Sequence, residues 1–255
     1  MSETIIHKIN PISFADLKIA LKLGIQDFIS APLFGLFFAG IYVCGGILLV
    51  TFFFMLDLEW AIYPLMVGFA LIGPFIATGL YEVSRRRAVK KPLEWRGIIG
   101  VIWEQRNREL GWMAFVTLFV FWVWMYQART IFVIFFGSQG FASMNGFLEV
   151  LFSTSTGFYF LLTGHVVGAI ISIVLFTLTV ISCPMLLDKE IDFVTAMLTS
   201  IRSVIASPIP MLCWGVFVVL TVMLSMIPGF LGLLLTLPIL GHSTWHLYKL
   251  TVTSG

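Results

Sequence analysis

Charge is what this sequence has least of. Only 11% of its 255 residues are charged, 59% are hydrophobic, and the mean hydropathy is +1.02. A water-soluble domain covers itself with roughly 25% charged residues. A chain this poor in them would expose large apolar patches to water, which excludes a soluble globular fold. The net charge of +2 is too small to point to nucleic acid as a partner. Cysteine is scarce as well. Cys44, Cys183 and Cys213 lie in separate apolar runs with no CxxC pair, so no disulfide framework is expected and they read as small packing residues. Met1 to Asn10 lack the apolar stretch of a cleavable signal, and insertion is expected to use the first membrane helix. Walker, HExxH and GxSxG motifs and phosphate-binding glycine loops are all missing. No enzymatic activity is expected.

What the chain does have is long apolar runs. Spanning a hydrocarbon core of about 30 Å takes about 20 apolar residues in a helix, and only helices and closed barrels satisfy their backbone in lipid. The runs predict an all-α, polytopic bundle of six transmembrane helices. They cover about Leu33–Met55, Trp60–Val83, Trp112–Phe136, Val166–Leu187, Met211–Met226 and Phe230–Tyr248. The last two are separated by a Pro228-Gly229 turn signal.

Lys and Arg collect on the cytoplasmic side of membrane proteins. With both termini in the cytoplasm, every basic residue except Arg129 falls in an inner segment, the Arg85-Arg86-Arg87 run included, while Asp57, Glu59 and Glu149 fall outside. The reading is a multi-pass protein of a bacterial inner membrane. The outer stretch from Gly137 to Gly164 is expected to form a short surface helix.

The chain reads as a single integral membrane domain over residues 1–255, with one unit repeated at 13–91, 92–190 and 191–250. Each unit is an amphipathic segment followed by a membrane hairpin. Pro32 follows Asp16, and Pro208 follows Asp192, by the same sixteen positions. The middle copy starts at Glu94 and carries Leu110 where the proline would be. Ser13-Phe14-Ala15-Asp16 has the form of a capping box. Pro74, Pro184 and Pro238 recur late in the even spans. Proline removes a backbone donor and kinks a helix, so the three read either as hinges around a central path or as shared packing geometry.

Few residues in the spans carry chemistry. His242 and His246 stand four apart, which puts both imidazoles on one helix face and makes them candidate metal or haem ligands. A third ligand is missing, since His165 is expected at the opposite membrane face. The alternative is an interfacial belt of Trp245, His246 and Tyr248, with His242 bonded between helices. Arg129 lies late in the third span and is a functional candidate by its depth. It also reads as a snorkelling side chain that pairs with Glu149, Asp57 or Glu59. Glu82 and Asp188, at inner helix ends, read as solvated charges. No metal or cofactor site is assigned.

Three stretches carry a resemblance: Phe14-Ala15-Asp16-Leu17, the run from Gly68 to Tyr81 with Gly73-Pro74, and Leu237-Pro238-Ile239-Leu240-Gly241-His242-Ser243-Thr244-Trp245-His246-Leu247-Tyr248. Through them the chain resembles a family of predicted bacterial integral membrane proteins of unknown function, some members of which are labelled cytochrome c oxidase subunit I. A haem–copper core needs six histidine ligands, whereas this chain has four histidines, one of them His7 in the N-terminal tail. Oxygen reduction by this chain alone is not expected. The resemblance implies an accessory or assembly role beside another membrane protein or a respiratory complex. The expected function is a non-enzymatic accessory, assembly or scaffold component. The rivals are a small transporter or channel, and a haem- or metal-binding membrane protein.

Overall fold

A computed structural model describes residues 8–55, 77–106, 109–137 and 144–253. The described chain is helical apart from one short strand pair. Its elements are β1 (Lys8–Ile9), α1 (Phe14–Ser30), α2 (Pro32–Met55), α3 (Thr78–Ala88), α4 (Trp95–Arg106), α5 (Glu109–Phe136), α6 (Met144–Ser153), α7 (Ser155–Thr179), α8 (Ser182–Asp188), α9 (Phe193–Ala206), α10 (Pro208–Met226), α11 (Leu233–Thr251) and β2 (Val252–Thr253). β1 and β2 pair antiparallel, Lys8 with Thr253 and Ile9 with Val252, which brings the two ends of the described chain together.

Among the described residues, three helices are long and apolar enough to cross a membrane alone: α5, the α7–α8 run Ser155–Asp188, and α10. A fourth span results if α1 and Pro32–Leu48 are taken together, but these two are bent by 99°. The expected second span and its Pro74 fall largely outside the described residues. The fourth span starts earlier than the apolar run suggested. Thr154 caps α7 by accepting from the Gly157 amide at 3.0 Å, so the helix begins eleven positions before Val166.

The short helices start and stop for local reasons. Ser13 and Asp16 form the expected capping box, with the Asp16 carboxylate accepting from the Ser13 amide at 2.8 Å. Asp192 caps α9 by accepting from the Thr195 amide at 2.8 Å. The Thr195 hydroxyl donates to it as well, and these bonds hold the Asp192 carboxyl below the usual carboxylate range. Both helices end two positions before a proline, because the residue preceding proline is pushed out of the helical region. The two breaks share a geometry: Ala31 has φ −142° and ψ 53°, and Ser207 has φ −146° and ψ 65°.

The α7–α8 run breaks at Val180–Ile181, three residues before Pro184. The Ser200 hydroxyl of α9 enters this gap, accepting from the Ile181 amide at 3.2 Å and donating to the Thr177 carbonyl at 2.7 Å. A side chain inserted into the helical ladder is a recognised cause of a bend. It also leaves both freed backbone groups satisfied.

The core gathers around α11, whose Leu233, Pro238, Leu240, Gly241, Trp245, Leu247 and Tyr248 are all buried. Trp245 and Tyr248 are core side chains, which corrects the expected interfacial belt. The polar end of Tyr248 explains its placement in part, since its hydroxyl donates to Asp188 at 2.8 Å. Helix α1 lies along α11 with a stripe of Ala20, Gly24 and Asp27 turned inward. Small residues let two helices approach closely. At Gly24 a Cβ would overlap the Ser243 hydroxyl and come within 2.8 Å of the Ile239 carbonyl.

The spans are clothed in apolar side chains. Trp112, Phe115, Phe119 and Trp122 are exposed along one side of α5, a surface that matches lipid and not water. By contrast Gly40, in α2, has open space where a Cβ would stand.

Gly24→Leu is expected to separate α1 from α11 and to destabilise the protein by about 1–3 kcal/mol, the usual cost of overpacking. Gly40→Ala should leave stability unchanged or slightly raised. Thermal unfolding of both variants in the same mild detergent distinguishes them.

Candidate functional site

Three helices place one polar cluster at a single end of the bundle. Asp27 is the last member of the inward stripe of α1. Ser84 and Arg87 are three apart on α3, and His242 and His246 four apart on α11, so each pair shares a helix face. The Asp27 carboxylate accepts from all three sides. Arg87 Nε donates to Oδ1 at 2.7 Å, the Ser84 hydroxyl donates to Oδ2 at 2.6 Å, and His246 Nε2 lies 2.8 Å from the same oxygen. The Ser84 oxygen in turn lies 2.7 Å from His242 Nδ1. Asp27, Ser84 and His242 are buried, whereas Arg87 and His246 reach partly to the surface.

The protons in this chain can be counted. A carboxylate beside a guanidinium is ionised and only accepts. Ser84 has one hydrogen and gives it to Asp27. Its oxygen must then accept from His242, which makes His242 the Nδ1–H tautomer. Charging the ring would bury a second cation with no carboxylate of its own, so the imidazole is neutral. Nε2 therefore carries a bare lone pair. It is buried and has no hydrogen-bond partner among the described residues. The Leu80 carbonyl also lies beside this ring, one turn before Ser84.

A second buried carboxylate sits on the same helix. Glu82 accepts from Arg85 Nε at 2.7 Å and Nη2 at 3.1 Å, and from Arg86 Nε at 2.7 Å. Arg86 also donates to the Pro92 carbonyl at 3.2 Å. Glu82 is wholly buried, not solvated as its helix-end position suggested. Its spacing from Arg85 and Arg86, three and four positions, puts both cations on its own face. Asp188 is likewise engaged, by Tyr248 and by Lys249 at 3.1 Å.

The remaining candidates separate. His246 Nε2 faces Asp27 and His242 Nδ1 faces Ser84, so the two imidazoles turn these nitrogens to oxygens. Among the described residues no three His, Cys, Asp or Glu side chains converge on one point. Pro184 and Pro238 are buried in α8 and α11. Arg129 is exposed on α5, outside this cluster, and Asp57, Glu59 and Pro74 lie outside the described residues. A cleft of about 650 Å³ opens beside Glu82's partner Arg85, lined by Glu104, Glu109, Asp188 and Asp192 among others.

Asp27 and Ser84 are the residues that sequence reasoning missed. Asp27 did leave a signal. It continues the Ala20–Gly24 small-residue stripe that turns toward a neighbouring helix, a place where an acid needs partners. Ser84 left none, because a serine at a helix end is ordinary.

Asp27→Asn is expected to lower stability by about 3–5 kcal/mol, since it strands the buried end of Arg87. Adding Arg87→Gln should restore part of that loss. A double-mutant cycle read by detergent-titrated unfolding measures the coupling.

Residues 62–188 match the profile of a family described as Predicted integral membrane protein (DUF2189). No curated protein and no solved structure matches the chain. The matched segment includes Glu82, Ser84 and the arginine run, and it excludes Asp27, His242 and His246. Over residues 62–188, the chain is similar to this family of predicted integral membrane proteins.

Proposed function

We propose that this protein is a non-enzymatic scaffold of the inner membrane, built from three consecutive units and serving as an accessory or assembly component for another membrane protein. The observation that carries the reading is the commitment of the buried charges. Asp27 binds three donors and Glu82 binds two guanidinium groups. The Asp27 bonds tie α1, α3 and α11 to one another, and the Glu82 pairs lock the arginine run within α3. A carboxylate engaged by three donors holds its framework rigid.

The three-unit plan is supported by the way the short helices pack. Helix α4 lies against α3, α9 against α7 and α8, and α1 against α11. Each amphipathic helix thus rests on the hairpin end of the preceding unit, and the first rests on the last, which closes a ring. Further bonds join the units at the same end. The Glu109 carboxylate accepts from the Phe193 amide at 3.0 Å, and Ser207 Oγ accepts from the Ile12 amide at 2.7 Å. In this plan six spans return the C-terminus to the side of the N-terminus, a reading that the β1–β2 pairing supports.

A second reading, a metal- or haem-binding membrane protein, is favoured by one atom, the bare and buried Nε2 of His242. Metal-ligating histidines commonly donate their other ring N–H to an oxygen, as His242 does to Ser84.

Gentle purification from the native membrane separates the two readings. The scaffold predicts a stoichiometric membrane-protein partner by mass spectrometry, held by the wild type and released by Asp27→Ala. A coloured or metal-loaded protein that loses its absorbance with His242→Gln, and brings down no partner, would establish the second reading instead. Reporter fusions after residue 90 and at the C-terminus should report the same, cytoplasmic side.

A further inference from the structure

Some basic residues at the ringed end are paired and others are not. Arg85, Arg86, Arg87 and Lys249 are committed to Glu82, Asp27 and Asp188. Lys18, Lys22, Lys90, Lys91, Arg96 and Arg202 are exposed and carry no ion pair among the described residues. This second set is distributed over all three short helices and the turn between α3 and α4.

Those helices also expose apolar side chains on the same outer faces. On α1, Lys18 and Lys22 alternate with Ile19, Ile25 and Ile29, the last 69% exposed. On α4, Arg96 stands beside Trp95, Ile99 and Trp103. On α9, Arg202 is the only charged residue, among Val194, Leu198 and Ile205. The inner faces are already occupied by the bundle, with Ala20, Gly24, Ile98, Ala196 and Ser200 all buried.

The 99° bend between α1 and α2 sets the orientation. If α2 runs along the bilayer normal, α1 lies in the membrane plane. The break before Pro208 repeats the dihedral angles of the break before Pro32, so α9 leaves α10 in the same way. A helix in that plane meets neither bulk water nor hydrocarbon. Its outer isoleucines would be poorly placed in water, and its lysines in hydrocarbon, but the headgroup layer accommodates both.

We infer that the three short helices form a ring-shaped docking surface for anionic phospholipid headgroups, which Lys18, Lys22, Arg96 and Arg202 hold around the bundle. The partner is the lipid leaflet, on the grounds of charge complementarity and of the apolar residues interleaved with each base. The surface shares no side chain with the buried Asp27 cluster, and its ring shape rests on the three-unit plan proposed above.

The test uses the full chain purified from mixed phosphatidylcholine and phosphatidylglycerol membranes, with retained lipid quantified by native mass spectrometry. Phosphatidylglycerol should be enriched over its bulk share, by about fivefold for each base that engages a headgroup. The variant Lys18→Gln/Lys22→Gln/Arg96→Gln/Arg202→Gln should return the ratio to that of the bulk, and the matching Lys↔Arg exchange should keep the enrichment. Raised salt should weaken it in the wild type, a readout that does not depend on the variant folding. Bulk-like lipid in the wild type, or enrichment that survives both the glutamine variant and high salt, would overturn the inference. So would displacement by inorganic phosphate, since that marks a simple anion site.

Discussion

A carboxylate buried between three helices constrains most of this structure. Removing an ion from water costs several kcal/mol, even after the protein relaxes around it. Asp27 therefore needs donors from every direction, and it finds them on α3 and on α11. No single partner would suffice, and no two of the three helices could shift without exposing a charge. The close approach at Gly24 serves the same end. A larger side chain there would hold α1 away from Ser243 and take Asp27 out of reach of His246.

Polar groups elsewhere at this end follow the same rule on a smaller scale. Glu82 gathers two arginines within one helix, and Ser200 closes a backbone gap in a neighbouring one. Hydrogen bonds of this kind contribute modestly when made but are costly to leave unmade in a buried place. The polar contacts lie at the helix ends, while the long helices meet their surroundings with apolar side chains. That division suits a body held in a bilayer, with its rigidity concentrated where the chain turns back. It also explains why the arginine run differs from the other bases of the short helices: Arg85, Arg86 and Arg87 turn toward buried carboxylates, whereas Lys18, Lys22, Arg96 and Arg202 face outward.

Much of this organisation was legible in advance. The Ser13–Asp16 cap, the breaks before Pro32 and Pro208, and the long apolar helices follow from local chemistry that needs no neighbour. His242 was legible as a residue bonded between helices. The misreadings share one cause. Glu82 and Asp188 look solvated in the sequence, and Trp245 and Tyr248 interfacial, because position along a helix is only a partial guide to exposure. Exposure also depends on which face meets a neighbour, and the neighbours of α11 include α1, more than two hundred residues away in the chain. In the sequence the arginine run marks only a membrane side, whereas in the fold Arg85 and Arg86 share Glu82 and Arg87 meets Asp27.

The amino-acid sequence by itself determined the solvent, the helical class and the points at which short helices give way to long ones. Those properties arise from composition, capping and proline, all of which act within a few residues. Only the tertiary structure decided that Asp27, Ser84, Arg87, His242 and His246 form one site, that Glu82 is internal, and that the first short helix rests on the last long one. Each of those facts is a meeting between distant segments. Such meetings are settled by the energy of burying charge and by the fit of small residues at a helix crossing, and neither is written in any single stretch of the chain.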